Sequence, residues 1–214
     1  MPTLLQLDSS ADLTTSRSRS LTATFADAWT ALGEDHVVVH RDLHREPLPH
    51  LADADLHFPK ALRPAGSHID PAAESLQAGV IAELLAADVV VIGVPLYNYS
   101  MPSTLKAWVD HIHVPTVTAP FGDDPTQPMK GKTVVLMSTR GGAYDAGTPS
   151  EYDDHAVPAL SIVLGAALGM TVETIIATRT LTERFGGPSG EVEKQDAELA
   201  AGHERAVAAA KRLG

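Results

Sequence analysis

Runs of consecutive Val, Leu and Ile alternate along the chain with segments whose apolar residues recur every three or four positions. The runs are typical of strands buried on both faces, and the segments between them are typical of amphipathic helices. The pattern predicts five strands, at Thr3–Leu7, His36–His40, Asp88–Gly93, Lys132–Ser138 and Thr171–Ala177. It predicts five helices, at about 18–32, Ala73–Ala87, Ser103–His111, Tyr152–Leu168 and Val192–Leu213.

Strands that alternate with helices predict an α/β protein with a parallel sheet covered on both faces. Five strands fit the flavodoxin-like, doubly wound order 2-1-3-4-5 better than the six-stranded dinucleotide-binding order. We therefore expect residues 1–214 to form one flavodoxin-like domain. In such sheets ligands bind beyond the carboxyl ends of the strands, near the switch between strands 1 and 3. We therefore expect the ligand-binding residues in the loops after strands 1, 3 and 4.

Two proline-rich stretches interrupt the regular alternation, at residues 43–72 and 114–129. Neither has a sustained helical or strand period. We interpret both as surface excursions, the first with one helical turn at most.

Hydroxyl-bearing residues dominate the loop after strand 1, at residues 9–20, and this loop contains no glycine. It is therefore neither a Walker A loop nor a dinucleotide-binding glycine loop. Hydroxyls at the start of a helix either cap that helix or, with its N–H groups and dipole, bind an anion. The place after strand 1 favours a phosphate monoester, to which Arg17 or Arg19 could add positive charge.

Aromatic residues, prolines and glycines mark the loops after strands 3 and 4. The first reads PLYNYSMP from Pro95, and the second reads STRGGAY from Ser138. Two adjacent glycines allow the backbone to approach a ligand closely, and Tyr144 could cover it. A planar ring between these loops, with a phosphate at the first loop, describes flavin mononucleotide (FMN).

The composition of the chain excludes several classes of partner and of active site. The net charge of −11 argues against nucleic acid or an anionic membrane as the main partner. The absence of cysteine excludes disulfides, thiolate catalysis and cysteine-ligated metals. The segment His111–His113 lacks the spacing of a helical zinc pair, so we expect no metal site and interpret it as a solvated helix end. No signal-peptide or membrane-spanning pattern is present, which predicts a cytoplasmic protein.

Four short motifs occur together in order: Ser9-Ser10 with Ser16-Arg17-Ser18, then Pro95-Leu96-Tyr97-Asn98-Tyr99, then Ser103-Thr104-Leu105-Lys106, then Ser138-Thr139-Arg140-Gly141-Gly142. Through their order and spacing the chain resembles, from end to end, the FMN-dependent NADH:azo-compound and quinone reductases of flavodoxin-like fold. The resemblance implies that Ser10 and Ser16–Ser18 hold the phosphate, that Leu96–Tyr99 meet the flavin ring, and that Thr139–Gly142 close its polar edge. The expected cofactor-binding set is Ser10, Ser16, Arg17, Ser18, Pro95, Leu96, Tyr97, Asn98, Tyr99, Ser138, Thr139, Arg140, Gly141, Gly142 and Tyr144.

The resemblance also implies a mechanism in which the flavin carries the chemistry and no side chain is catalytic. A hydride passes from NADH or NADPH to flavin N5, and the electrons then pass to a quinone or azo compound in ping-pong order. The family works as a homodimer with active sites at the interface. Relatives place an aromatic residue where this chain has Ala166, so we expect a roomier acceptor pocket, which Phe121 could partly fill. Alternatively, Ala166 only packs helix on sheet.

Two other functions stay open at the level of sequence. A flavodoxin-type electron carrier has the same fold, although the excursions at 43–72 and 114–129 would then be unexplained. A phosphodiesterase or esterase would need a nucleophile or a metal site, and the sequence contains no motif for either.

Overall fold

A parallel sheet of five strands, in the order β2-β1-β3-β4-β5, forms the centre of the computed structural model, which describes residues 1–214. This order confirms the predicted flavodoxin-like fold. The pairing is in register along the sheet: Leu4 of β1 lies opposite Val38 of β2 and Val89 of β3. The strands are β1 Thr3–Asp8, β2 Val37–Asp42, β3 Val89–Pro95, β4 Thr133–Thr139 and β5 Thr171–Ala177.

Helices cover both faces of the sheet. α1 and α6 pack together on one face, whereas α2, α3 and α4 cover the other. The bounds are α1 Arg17–Thr30, α2 Pro71–Ala86, α3 Ser103–Ile112, α4 Ala156–Leu160, α5 Thr182–Phe185 and α6 Glu191–Leu213. α4 continues directly into a π-helical segment, Ser161–Ala167. None of these helices combines the length and the apolar character needed to cross a bilayer.

Successive residues of β3 supply the two hydrophobic cores in turn. Val90 and Ile92 enter the cluster under α2, α3 and α4, whereas Val89 and Val91 enter the cluster under α1 and α6. This is the period-2 alternation of a strand that is buried on both faces. The two tryptophans, Trp29 and Trp108, are fully buried, one in each cluster.

The excursion at residues 43–72 is more deeply packed than the sequence indicated. Gln77 of α2 donates a hydrogen bond of 2.9 Å to the carbonyl of Leu56, and His111 Nε2 lies 2.9 Å from the carbonyl of Pro49. The interpretation of His111 as solvated was therefore wrong, since this side chain is buried. The excursion contains two 3₁₀ turns, Ala54–His57 and Lys60–Leu62, and places Leu43, Leu48 and Leu56 in the interior.

One helix boundary and one additional helix in the C-terminal half differ from the prediction. The helix expected from Tyr152 begins at Ala156, because the buried carboxylate of Asp154 accepts hydrogen bonds from the N–H groups of Ala156 and Val157 and so caps its first turn. Tyr152 is exposed in the preceding turn. The short helix α5 was not predicted, because four residues are too few to show a helical period.

α1 approaches β3 most closely at Gly93. A Cβ atom at this position would lie 3.1 Å from Asp8 Oδ1 and 3.3 Å from Thr22 Cγ2. The missing side chain therefore lets the first turns of α1 lie directly on the sheet, which brings the start of this helix to the carboxyl ends of β1 and β3.

We expect Gly93→Ala to reduce the free energy of unfolding by about 1–3 kcal/mol, because the added methyl group overpacks this contact. Gly79→Ala is the matched control: Gly79 lies inside α2 with open space around its Cβ direction, and alanine should stabilise the protein by about 0.5–1 kcal/mol. Urea unfolding measures both changes. Equal stability of the Gly93→Ala variant and the wild type would contradict the close packing of α1 on β3.

Candidate functional site

The loops after β1, β3 and β4 meet at the carboxyl edge of the sheet, as predicted, and the segment after β5 joins them. A cavity of about 800 Å³, which is within the range of small-molecule sites, lies at this edge. It is lined by the loop after β1, by Tyr97, by Thr139 at the end of β4 and by the segment after β5. Half of the residues that line it are serines and threonines, namely Ser10, Thr14, Thr15, Ser16, Thr139 and Thr180.

The start of α1 forms one side of this cavity. Ser16 is the N-cap residue, and its hydroxyl accepts a hydrogen bond of 3.3 Å from the N–H of Arg19. The hydroxyl of Ser18, which is fully buried, lies 3.2 Å from that of Ser16. The first turn of α1 contains no acidic residue, so nothing within it opposes the positive end of the helix dipole. Ser16 therefore caps the helix, which was one of the two interpretations of this loop. The anion site, the other interpretation, is compatible with this cap and stays a prediction.

A turn centred on Asp12 fixes the loop ahead of α1. Its carboxylate accepts hydrogen bonds from the N–H groups of Thr14 and Thr15 and from the Thr15 hydroxyl. The Thr15 hydrogen bonds hold the pKa of Asp12 below its ordinary value. The negative charge of Asp12 is thus stabilised by the loop itself.

The two arginines near this loop have different surroundings. Arg17 lines the cavity and forms an exposed ion pair of 3.1 Å with Glu183 of α5. Arg19 is largely buried and pairs with Asp42 at the end of β2. Burial alone would raise the pKa of Asp42. The hydrogen bonds and charge of Arg19, together with the N–H groups of Arg45 and His44, outweigh burial and hold this pKa below the ordinary value.

The loop after β3 is a tight two-residue turn. Tyr97 and Ser100 exchange backbone hydrogen bonds of 2.8 and 3.0 Å, and the residues between them, Asn98 and Tyr99, have φ angles of 48° and 69°. Such angles are unusual for residues with side chains. Asparagine adopts them readily, whereas for tyrosine they cost about 1–2 kcal/mol. Strained backbone of this kind is found where a ligand or a switch needs a fixed shape.

Tyr97 joins this turn to the loop after β1. Its hydroxyl accepts a hydrogen bond of 3.1 Å from the N–H of Ala11 and lies 3.1 Å from Ser10 Oγ. Tyr97 lines the hydroxyl-rich cavity and also a second cavity of about 530 Å³ beside Met101, Lys106 and Ala159. The two cavities therefore share Tyr97 as a common wall.

Several predicted residues are parts of strands and support the site from within. Pro95 is buried as the last residue of β3, and the N–H of Leu96 donates to the carbonyl of Thr139 over 2.8 Å. Ser138 is buried in β4, and its hydroxyl has no hydrogen-bond partner in the chain.

Arg140 anchors the loop after β4. Its Nη2 atom lies 2.5 Å from Oδ2 of the buried Asp154, and its guanidinium lies over the ring of Tyr144 at 5.5 Å. Burial raises the pKa of Tyr144. Arg140 and Tyr144 therefore tie this loop to the start of α4.

The segment after β5 was missed by sequence reasoning, although it follows a strand at the same edge. A Cβ atom on Gly141 would lie 2.6 Å from Leu181 Cδ1, so this segment packs directly on the glycine loop. The N–H of Arg179 donates to the carbonyl of Gly142 over 2.9 Å. The Arg179 side chain is buried among three carboxylates, those of Asp145, Glu191 and Glu198. The hydroxyl and charged residues directly after strand 5, Thr178 to Thr180, were the signal that could have shown it.

The two residues expected at the acceptor pocket are both exposed and line neither cavity of this chain. Ala166 lies in the π-helical segment, where its carbonyl accepts a hydrogen bond from Gln127, and Phe121 lies in a surface turn. The exposure of Ala166 contradicts the alternative that it only packs helix on sheet. Its place in an acceptor pocket stays a prediction. No group of three or more His, Cys, Asp or Glu side chains could hold a metal ion.

Comparison with known proteins agrees with this geometry. The sequence model of a family described as having the flavodoxin-like fold matches residues 2–207. An FMN-dependent NADH:quinone oxidoreductase of Kineococcus radiotolerans is 52% identical over 213 residues, which cover 100% of this chain and 98% of the relative. A protein of the same description from Streptomyces avermitilis is 38% identical and is covered over 97% of its length, again with all of this chain.

Solved structures show the same fold. An azoreductase of Bacillus anthracis superposes with a TM-score of 0.82 at 23% identity, covering 99% of this chain and all of its own. An FMN-dependent NADH-azoreductase of the same species, solved in complex with FMN, has a TM-score of 0.78 at 17% identity over 98% of this chain and 100% of its own. These structures show the fold, and the sequence matches show that the chain belongs to the family of FMN-dependent NADH:quinone oxidoreductases with flavodoxin-like fold.

Proposed function

We propose that this protein is an FMN-dependent oxidoreductase that uses NADH, or NADPH, to reduce quinones and azo compounds. The observation that carries the proposal is the junction at Tyr97, where a hydroxyl-lined cavity at the start of α1 meets a strained aromatic turn. A phosphate needs the first feature and a planar ring needs the second. The two relatives described above, similar over their whole length, are named for this activity.

The residues present fit the phosphate of FMN. Ser10 and Ser16 offer hydroxyls in the cavity, and Ser18 orients the Ser16 hydroxyl from below. The N–H groups and dipole of α1 favour a dianion at this point. Arg17 adds an exposed cation whose charge is shared with Glu183, so its contribution should be small and sensitive to salt.

Free N–H groups of the glycine loop fit the polar edge of a flavin ring. The N–H groups of Gly141 and Gly142 donate no hydrogen bond within the chain. The carbonyls of the same two peptide units, on Arg140 and Gly141, accept hydrogen bonds from Thr180 and Leu181. Because C=O and N–H point in opposite directions across a trans peptide, these contacts direct both N–H groups away from the β5 segment. They are fixed before any ligand binds, which is the arrangement that stabilises developing negative charge.

When bound, FMN would accept a hydride from the nicotinamide at N5 and deliver the electrons to the acceptor. The protein's part is to bind and orient, and no residue of the site needs to act as nucleophile or base. Leu96–Tyr99 would face the ring, and Pro95, Ser138 and Thr139 would hold the strand ends on either side of it.

Exposed apolar side chains favour a homodimer. Tyr99, Phe121, Tyr152 and Ile162 are between 52% and 82% exposed. Large apolar side chains left exposed in one chain are often covered in a protein interface. We propose that a second copy of the chain covers them and that Phe121 and Ala166 reach the partner's acceptor pocket. A cytoplasmic location follows from NADH as the donor.

A flavodoxin-type electron carrier remains the second candidate, since it shares the fold. The enzyme is favoured by the two relatives described above, which are named for NADH:quinone oxidoreductase activity. Nothing in the site favours a phosphodiesterase or esterase.

Steady-state kinetics tests the proposed function. With NADH and a quinone varied together, double-reciprocal plots should give parallel lines, because donor and acceptor use the same site in turn. The protein stripped of flavin should be inactive and regain activity with FMN. Electron transfer to a quinone only when a separate reductase is added would identify a carrier, and catalysis by the stripped protein would contradict a flavin mechanism.

Replacement of Ala166 tests the acceptor pocket. Ala166→Phe should lower kcat/KM for a polycyclic quinone by about tenfold and leave a small quinone nearly unaffected, because the ring fills space above the partner's flavin. Ala86→Phe, at an exposed alanine at the far end of α2, serves as the control. Equal effects on both quinones would show that Ala166 does not line the pocket.

A further inference from the structure

Arg19 binds the backbone of the loop after β1 and the end of β2 at the same time. Its Nε and Nη2 atoms donate to the carbonyl of Ser10 over 3.1 and 2.7 Å. Its Nη1 and Nη2 atoms donate to the two carboxylate oxygens of Asp42 over 2.7 and 2.8 Å. The side chain is 16% exposed, and that of Asp42 is 9% exposed. Such two-pronged contacts use the planar guanidinium in a way that lysine cannot reproduce.

The contact with Ser10 fixes the orientation of one peptide unit, Ser10–Ala11. Its carbonyl accepts from Arg19, and its N–H donates to the Tyr97 hydroxyl over 3.1 Å. These groups point in opposite directions because the peptide is planar and trans. Arg19 therefore determines the orientation in which Ser10 enters the cavity, and it also determines where the Tyr97 hydroxyl finds its partner.

The charge of Arg19 is already balanced, which separates its role from that of a phosphate ligand. Besides Asp42, the carboxylate of Asp8 lies 3.9 Å from Nη1 and is itself bound by Thr22 and His40. Arg19 does not line the cavity, whereas Arg17 does. A cation held by carboxylates on the far side of the loop can shape that loop and contributes little direct attraction to a ligand in front of it.

We propose that Arg19 is a positioning residue for cofactor binding, which orients the Ser10–Ala11 peptide so that the loop after β1 fits the phosphate of FMN and Tyr97 is placed beside it. This inference rests on the proposed function, in which that cavity binds FMN. The inference goes beyond the proposed function because it assigns the shape of the phosphate-binding loop to Arg19, a buried residue that would not touch the cofactor.

Titration of the apoprotein with FMN and with riboflavin tests the proposal, because the two flavins differ only in the phosphate. In Arg19→Lys and Arg19→Gln the affinity for FMN should fall by about tenfold or more, and that for riboflavin by much less. The Lys variant keeps the charge and loses the fork. It also serves as the reporter if the Gln variant does not fold.

A control variant separates positioning from general stability. Arg41→Lys breaks a comparable two-pronged pair, Arg41 with Glu83, which joins β2 to α2 away from the cavity. FMN affinity should change less than threefold in this variant.

Wild-type FMN affinity in the folded Arg19 variants would overturn the proposal. So would an equal fractional loss for FMN and riboflavin, or a loss in Arg41→Lys as large as that in Arg19→Lys, since each indicates a merely structural role. Failure of the wild-type protein to bind FMN would instead reject the proposed function, and that result is obtained before any variant is compared.

Discussion

The contact of α1 with β3 at Gly93 is the constraint on which the arrangement of the site depends. With no side chain in the way, α1 lies close enough for Thr22 to donate to Asp8 at the end of β1. The start of the helix, with its Ser16 cap, is thereby fixed above the ends of two central strands. A bulkier residue at Gly93 would move the helix outward and with it the cavity wall. The position of the anion site is therefore a consequence of sheet packing.

The loops of the site also share a second property, which is that the orientation of their key peptide planes is fixed by the protein. In the loop after β4, the segment after β5 donates hydrogen bonds to the carbonyls of the two glycine peptide units. It accepts none from their N–H groups, which therefore stay available to a ligand. In the loop after β1, Arg19 and Tyr97 hold one peptide from both sides. Between these loops, the two backbone hydrogen bonds between Tyr97 and Ser100 hold Asn98 and Tyr99 in the left-handed conformation. Each loop is thus shaped before a ligand arrives, which lowers the entropy lost on binding.

The strand order was predictable from the sequence because the apolar runs are long and uninterrupted and alternate with helical segments. The three predicted loops were found together for the same reason, since parallel strands end at one edge. The contacts inside the site were not predictable. Nothing in the local pattern distinguishes Arg17, exposed beside Glu183, from Arg19, buried against Asp42, because the difference depends on which strand lies beneath each residue. Leu181 and Arg179 follow a strand of ordinary appearance, and only the tertiary structure brings them to the glycine loop.

We propose that the cavity at the start of α1 binds a single phosphate and that the neighbouring turn binds a flavin ring. Identification of the flavin released from the purified, heat-denatured protein tests this assignment. We expect FMN, close to one per chain, because the loop after β1 has no glycine motif for a second phosphate. Release of FAD would contradict the assignment of the cavity, and a colourless protein that takes up no added FMN would contradict the flavin site altogether.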